Sequence, residues 1–340
     1  MRLMKTYLPS LYLAVLAGCG ARVTCGPGTF EQDLVCLPVP VDTEVPADDT
    51  DPPLVDTDAD TDAPDESDPP PNDTDTGDTD VADARPGYFG DIVFTDASGM
   101  ASFCQLHDTV YGNLTVRGFE VTDLAGLGCL RRVIGNASIL AETLTALSLP
   151  LLTEVTGSLT LTGAHTAITV DLPVLERVDG SLILNSPDGL VSLLSLSMPT
   201  LAVVGQDLRI DDSFSLGSVE LPALTSVGRH LWLRRHVSVG RVALPALAHI
   251  GGALRVEDNA ALTALEMPNV PSIGSNFLAE LAIEDNAALA DLSGLAGIRS
   301  VGASLVVRFN PSLPTATAEA FRDAIVPRVG GTVVVEQNGP

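Results

Sequence analysis

A phrase that recurs about every 23 residues constrains the fold of this chain more than any other feature. The phrase is a glycine, followed within a few residues by an apolar residue, any residue and a second apolar residue. Between Gly90 and Gly274 the successive glycines are 22, 23, 22, 23, 25, 23, 23 and 23 residues apart. A fixed period of this length is typical of solenoids, in which each repeat forms one turn stacked on its neighbours.

The spacing of the apolar residues indicates strands. Alternation with period two sends the two apolar side chains inward and the middle one outward. A second phrase, Leu/Met-Pro-x-Leu/Val, keeps the same phase and begins at Leu149, Leu172, Met198, Leu221, Leu244 and Met267. We therefore predict a mainly β solenoid domain over residues 87–340, with two short extended segments per turn. We expect its turns to stack about 4.8 Å apart. The glycines should adopt positive φ at corners, and the prolines should occupy corners where no backbone N–H is needed as a hydrogen-bond donor.

Solenoid ends need covers, because the last turn leaves apolar side chains unburied. At the C-terminal end, a short capping helix is predicted after Pro314, with Phe321, Ala324 and Ile325 on one face at helical spacing. At the other end, we expect a disulfide between Cys104 and Cys129 to join the first complete turns.

The repeats resemble the receptor L-domain family, which is related to leucine-rich repeats. The resemblance depends on the Gly-x-Leu-x-Ile/Val strands and on the motifs that begin at Asn259, Asn286 and Asn310. It implies a right-handed β-solenoid, a cell-surface setting and an extended face suited to binding. The chain lacks the cysteine-rich modules of animal receptors, so the resemblance does not extend to receptor signalling.

The N-terminus has the pattern of an export signal. Arg2 and Lys5 precede a short apolar stretch that ends in Leu-Ala-Gly-Cys at Cys19, which resembles the lipobox of bacterial lipoproteins. This predicts a signal peptide over 1–18, lipidation of Cys19 and attachment to a membrane through the lipid. An ordinary secretory signal is the alternative. Gly20 follows the cysteine, which favours the outer membrane or cell surface of a diderm bacterium.

The remaining cysteines form two candidate pairs. Cys25 and Cys36 are 11 residues apart in a predicted N-terminal segment, 19–41, and Cys104 and Cys129 are about one repeat apart. An even number of cysteines in an oxidising compartment favours two disulfides. Metal binding is the weaker alternative, because neither pair has the spacing of a zinc site.

Residues 42–86 are predicted to form a disordered acidic tether. Asp, Thr and Pro dominate, and 17 acidic residues without any Lys or Arg occupy 42–84, out of a net charge of −26. Such a segment cannot bury enough apolar surface to fold, and its like charges keep it extended. We expect weak, unspecific binding of divalent cations there, because an EF-hand-like start at Asp56 lacks the required glycine at Thr61. The acidic balance argues against nucleic acid as a partner.

Motifs for catalysis or cofactor binding are absent from the sequence. There is no Gly-x-Ser-x-Gly, His-Glu-x-x-His, dinucleotide fingerprint or P-loop. We therefore predict a protein that is not an enzyme and that has neither cofactor nor metal. A polysaccharide-active β-solenoid enzyme with paired carboxylates is the weaker alternative.

One group of residues suggests a binding face. When the repeats are aligned, Arg209, Trp232 and Arg255 form an outward column beside Arg234. An outward Trp among arginines can stack on a sugar or anchor a protein partner. We therefore expect a surface binding or adhesion module for a glycan or an extracellular protein or peptide. The alternatives are a ladder of ion pairs between turns and a structural envelope protein with no specific ligand.

Overall fold

The computed structural model describes residues 29–32, 35–38 and 85–340, apart from 141–142, 163–167, 186–192 and 276–278. Before the solenoid, Thr29–Gln32 and Val35–Pro38 pair as an antiparallel hairpin. The predicted signal peptide, Cys19, Cys25, the side chain of Cys36 and the acidic stretch 42–84 lie outside the described residues.

From Tyr88 onward the protein is a mainly β solenoid in which neighbouring turns pair in parallel. The longest sheet has eleven strands, one from each repeated glycine phrase. They are Ile92–Phe94, Leu114–Arg117, Ala137–Leu140, Leu159–Leu161, Leu182–Leu184, Leu208–Asp211, Leu231–Arg234, Leu254–Glu257, Leu281–Glu284, Leu305–Arg308 and Val333–Glu336. The predicted strands are therefore confirmed, and the apolar residues of each phrase point inward, as at Leu231 and Leu233.

A second parallel sheet has ten shorter strands, each just before a corner glycine. They are Tyr88–Phe89, Thr109–Tyr111, Arg132–Ile134, Glu154–Val155, Arg177–Val178, Val203–Val204, Ser226–Val227, His249–Ile250, Ser272–Ile273 and Ser300–Val301. Each strand from Thr109–Tyr111 onward places a Val or Ile in the core. These are the residues that follow the Leu-Pro-x-Leu phrase in the middle turns.

The third side of the solenoid was not predicted. Six middle turns add a strand there, in two three-stranded sheets: Ala146–Ser148, Ile168–Asp171, Leu193–Ser197, Ser218–Glu220, Arg241–Ala243 and Ala264–Glu266. These turns therefore have three strands, and the prediction of two was wrong. The missed signal is a further alternation before the proline, as in Leu147-Ser-Leu149, where both leucines are buried.

Helices take the place of the third strand at both ends. The first turns have the helix Ala97–Leu106 and the 3-10 turn Ala125–Leu127. The last turns have the 3-10 turn Ser293–Leu295 and the helix Thr315–Ile325, followed by the 3-10 turn Val326–Arg328. These helical segments therefore do not present a row of unpaired strand N–H and C=O groups along this side.

The C-terminal helix confirms the predicted cap with one correction. Ala318 and Ile325 are buried and Phe321 packs against the core, whereas Ala324 is exposed. The buried residues are three and four positions apart, so the helix presents one apolar stripe to the solenoid. At the N-terminal end, Cys104 in the helix forms the predicted disulfide with Cys129.

The predicted positive φ is found at some corner glycines, and others are needed for a different reason. Positive φ occurs at Gly90 and Gly274, among others, but not at Gly228 or Gly251. A Cβ at Gly228 would lie 2.0 Å from the carbonyl oxygen of Gly205, and one at Gly251 would lie 2.1 Å from that of Gly228. In the middle turns, glycine therefore allows the backbones of stacked corners to approach each other.

A buried ladder of asparagines follows the strands of the last turns. Asn259, Asn286 and Asn310 are each at most 1% exposed. The Asn286 side chain accepts from the backbone N–H of Asn259 at 3.2 Å and donates to the carbonyl oxygen of Val256 at 2.9 Å. The same pattern continues to Asn338. We call these four asparagines the asparagine ladder. Each one satisfies backbone groups of a neighbouring turn, and the bonds made by Asn286 are buried.

His236 and Ser213 occupy the equivalent positions one and two turns before Asn259. His236 accepts from the backbone N–H of Ser213 through Nδ1 at 3.3 Å, and its Nε2 contacts the carbonyl oxygen of Ile210 at 2.9 Å. These contacts require a neutral imidazole that carries its proton on Nε2. Burial lowers the pKa of His236, with nearby Asp211 and Asp212 acting in the opposite direction.

A second series of side-chain hydrogen bonds lies just before the strands of the eleven-stranded sheet. It joins the glycine corners of the earlier turns. In this corner ladder each side chain accepts from the backbone N–H of the equivalent residue in the next turn. Its members are Asp91, Asn113, Asn136, Ser158, Ser181, Asp207 and His230, and the last N–H belongs to Ala253. Most of these bonds are exposed or half-buried, so water can replace them.

Candidate functional site

Three neighbouring strands bring together the residues predicted for the binding face. In the eleven-stranded sheet, Arg209 is directly opposite Trp232, and Trp232 is directly opposite Arg255. Leu231 and Leu233 on either side of Trp232 are buried, so the indole lies on the outer surface. We call this region the Trp232 face and define it as Asp207, Arg209, Arg229, His230, Trp232, Arg234, Arg255, Glu257 and Glu280.

Guanidinium groups cover much of the indole. The guanidinium carbon of Arg209 lies 3.8 Å from the ring centroid of Trp232, that of Arg234 lies 4.4 Å away and that of Arg255 lies 5.9 Å away. Contacts of this kind are cation–π interactions, which strengthen as the groups lose water. Trp232 is half-buried as a result. The predicted residues are therefore clustered, but the ring is not freely open to solvent.

The arginines are held to carboxylates with unequal strength. Arg234 makes two hydrogen bonds to Asp211, at 3.1 and 2.8 Å, and the Asp211 side chain is fully buried. Arg255 bonds to Glu280 at 2.6 Å. Arg209 has one long contact, 3.4 Å to Asp207. Arg209 therefore has the weakest hydrogen bonding to carboxylates of these three arginines, although it stacks closest to the indole.

The electrostatic environment shifts two titratable groups of the Trp232 face. Burial lowers the pKa of His230, and the positive charges of Arg229, Arg209 and Arg255 act in the same direction, against Asp207. The Nδ1 of His230 accepts from the backbone N–H of Ala253, which also favours the neutral ring. Burial raises the pKa of Glu257, although Arg255 opposes that shift.

Two buried donors on this face have no acceptor. Among the described residues, the buried side-chain polar atoms without a hydrogen-bond partner are Trp232 Nε1, Arg209 Nε and Asn185 Oδ1. Two of these three atoms belong to one stacked pair. Buried polar groups are usually paired, so a concentration of unpaired donors in one place requires an explanation.

Carboxylates extend the charged region towards the C-terminal turns. Glu257 is directly opposite Glu284, and Glu284 is directly opposite Arg308, to which it is hydrogen-bonded at 2.5 Å. Burial raises the pKa of Asp285, and nearby Asp258 and Glu284 act in the same direction. In the described part of the chain, no group of three or more His, Cys, Asp or Glu residues could hold a metal ion.

Sequence reasoning missed several residues of the Trp232 face. His230 lies 5.8 Å from Trp232 between ring centroids, and Asp207 also contacts Arg229 at 3.8 Å. The sequence contained a signal for His230, because it is two residues before Trp232 and alternation places both outward. It contained none for Glu280, because the spacing from the corner glycine to the strand is longer in this repeat than in the others.

Comparison with known proteins identifies no relative of this chain. No family model matches the chain, no curated protein matches it, and no solved structure matches it. Within the described residues, no helix is long and apolar enough to cross a membrane.

Proposed function

We propose that this protein is an exported lipoprotein whose solenoid binds a ligand at the cell surface through the Trp232 face. In this proposal the signal peptide and Cys19 supply the anchor, and the acidic tether carries the solenoid away from the outer membrane. The resemblance of the repeats to the receptor L-domain family supports a surface role and an extended binding face.

The observation that carries the binding role is the contrast between turns of the same sheet. The outward positions equivalent to Arg209, Trp232 and Arg255 in earlier turns are Val93, Thr115, Ser138, Thr160 and Ile183. Stacking alone therefore does not require arginine or tryptophan at these positions. Tryptophan and arginine are the residues most often responsible for binding energy at protein interfaces.

A structural envelope protein is the second candidate. The pairing of Arg234 with Asp211 and of Arg255 with Glu280 favours it. Ion pairs of this kind can link successive turns without any ligand. Exposed pairs contribute less than about 1 kcal/mol each, and the attraction between Arg234 and the buried Asp211 is offset by the loss of water from both charges. The ladder by itself would therefore add little stability.

Binding is tested with a soluble variant that starts at Arg85. This variant is screened against arrays of glycans, peptides and extracellular proteins. We expect a ligand whose affinity falls by about 2 kcal/mol or more in Trp232→Ala. Arg241→Ala is the matched control, because Arg241 lies on a three-stranded sheet on another side of the solenoid and pairs with Glu266. Failure to find any ligand would favour the structural candidate.

The anchor is tested in cells. A fatty-acid probe should label the wild-type protein and should not label Cys19→Ser, which lacks the thiol that accepts the lipid. We expect the variant to leave the membrane fraction. Labelling of both proteins, or of neither, would contradict the proposed lipoprotein.

A further inference from the structure

We infer that the ligand of the Trp232 face is a neutral glycan, whose hydroxyl oxygens accept from Trp232 Nε1–H and Arg209 Nε–H. This inference depends on the proposed binding function and adds the chemical class of the ligand. It starts from the two buried donors that have no acceptor in the protein. A ligand that supplied acceptors at this place would satisfy both donors.

The two donors can become accessible through Arg209. Its side chain is 29% exposed, and besides its stacking on the indole at 3.8 Å it makes one long polar contact, to Asp207 at 3.4 Å. Arg234 and Arg255 have shorter bonds to their carboxylates. A rotation of the Arg209 side chain therefore breaks one long hydrogen bond and its stacking on the indole, which a ligand packed on the ring would replace. It uncovers one face of the indole and frees the N–H groups of both residues.

The balance of charges favours a neutral ligand. Around Trp232, the guanidinium groups of Arg209, Arg229, Arg234 and Arg255 are interleaved with the carboxylates of Asp207, Asp211, Glu257 and Glu280. The four positive and four negative charges cancel. A strongly charged ligand would meet repulsion from one of the two sets at each step along this surface.

The mixture of donors and acceptors favours hydroxyl groups. A hydroxyl can accept from a guanidinium or indole N–H and can also donate to a carboxylate. An extended peptide has no strand to join here, because the backbone of the Trp232 strand is already paired with the strands on both sides. A sugar ring also has an apolar face that can pack on the indole once Arg209 has moved.

Two substitutions remove the unpaired donors while keeping a ring and a positive charge. Trp232→Phe keeps an aromatic ring without the indole N–H, and Arg209→Lys keeps the positive charge without the planar Nε–H. Both changes also remove part of the stacking between the indole and the arginines. The unfolding temperature of each variant is therefore measured, and binding is compared at a temperature at which all the variants are folded. Arg241→Lys is the matched control for the change from arginine to lysine.

The experiment measures binding by calorimetry with the soluble variant that starts at Arg85. The probes are cellohexaose, maltohexaose and chitohexaose as neutral glycans, hexagalacturonate as an acidic glycan and hexaglutamate as an acidic peptide. We expect at least one neutral probe to bind, and we expect Trp232→Phe and Arg209→Lys each to weaken it at least tenfold. Arg241→Lys should bind as the wild type does, and moderate salt should have little effect.

The outcomes separate the ligand class from the binding function. If only hexagalacturonate or hexaglutamate binds, the neutral glycan is wrong and the binding function stands. If a neutral probe binds but neither substitution weakens it, the role of the unpaired donors is wrong. If no probe binds and the array screen also finds no ligand, the proposed function itself fails.

Discussion

The two ladders of the solenoid perform the same task in different surroundings. Both hold stacked turns together by a side chain that accepts from the backbone of a neighbouring turn. The corner ladder uses four residue types, Asp, Asn, Ser and His, and lies partly in water. The asparagine ladder is buried at Asn259, Asn286 and Asn310 and half-buried at Asn338, and it contains only asparagine. The equivalent buried positions of the two preceding turns hold His236 and Ser213. The buried positions are therefore all neutral, whereas the corner ladder also contains aspartate.

The reason is the number of groups that each position must satisfy. At the exposed corner, one acceptor for one backbone N–H is enough, because water can complete the rest. Inside the core, the residue must accept from one turn and also donate to a carbonyl oxygen, as Asn310 does to Ile283 at 2.9 Å. Asn has both functions on one short group, neutral His236 has them on its two ring nitrogens, and an aspartate carboxylate cannot donate.

The largest expected effect is the loss of a central member of the asparagine ladder. Asn286→Leu leaves the backbone N–H of Asn259 and the carbonyl oxygen of Val256 buried without partners. We expect a loss of about 4 kcal/mol in the free energy of unfolding, because each orphaned buried group costs about 1 to 3 kcal/mol. Urea unfolding measures it.

Asn113→Ala provides the comparison for that substitution. It removes an acceptor from the exposed corner ladder, where water can replace it, so we expect a loss of about 1 kcal/mol or less. Equal losses for Asn113→Ala and Asn286→Leu would show that burial does not distinguish the two ladders.

The next largest expected effect is on the pH dependence of stability. It concerns His236, which occupies the position that asparagine holds in the following turns. Burial holds the pKa of folded His236 below its unfolded value. The unfolded chain therefore takes up the proton first as the pH falls. The stability that depends on neutral His236 is fully present above about pH 6.5 and is lost as the pH falls towards the folded pKa.

His236→Asn tests this coupling by giving the position the residue found in the following turns. We expect the variant to unfold at a similar temperature near neutral pH and to lose less stability than the wild type on acidification. The difference between the two proteins isolates His236 from the carboxylates, which titrate in both. Parallel pH curves for the two proteins would contradict the role assigned to the neutral imidazole.

The smallest expected effect is an exchange within the corner ladder. Asn136→Ser places at this corner the residue that Ser158 and Ser181 provide in the next two turns. We expect a change within about 0.5 kcal/mol, as is usual for partly exposed positions. Asn310→Ser, the same exchange in the asparagine ladder, should cost about 2 kcal/mol, because serine is too short to reach the carbonyl oxygen of Ile283.

Most of the solenoid could be predicted because its repeats are regular. The eleven strands, their inward residues and the column of Arg209, Trp232 and Arg255 follow from a period of about 23 residues and from alternation. The third strand of the middle turns was missed because Leu149 was assigned to the proline phrase alone. Its alternation with Leu147 was the signal.

The parts of the site that were missed depend on side-chain conformations. A column of outward residues does not show that Arg209 lies flat on the indole at 3.8 Å, or that this packing leaves two donors without acceptors. Nor does the sequence distinguish His230 from His236. They are six residues apart and belong to different ladders, one half-buried and the other 1% exposed.

The stacking of turns also has a consequence for how this chain folds. Sheets of parallel strands usually join distant parts of a sequence, and such proteins fold slowly. Here the ladder contacts join residues that are only 22 to 31 positions apart, from Asn113 with Asp91 to Asn338 with Val307. The mean separation is roughly a tenth of the domain, a relative contact order typical of helical bundles. We therefore expect folding to begin at any well-packed group of turns and to spread from turn to turn in both directions.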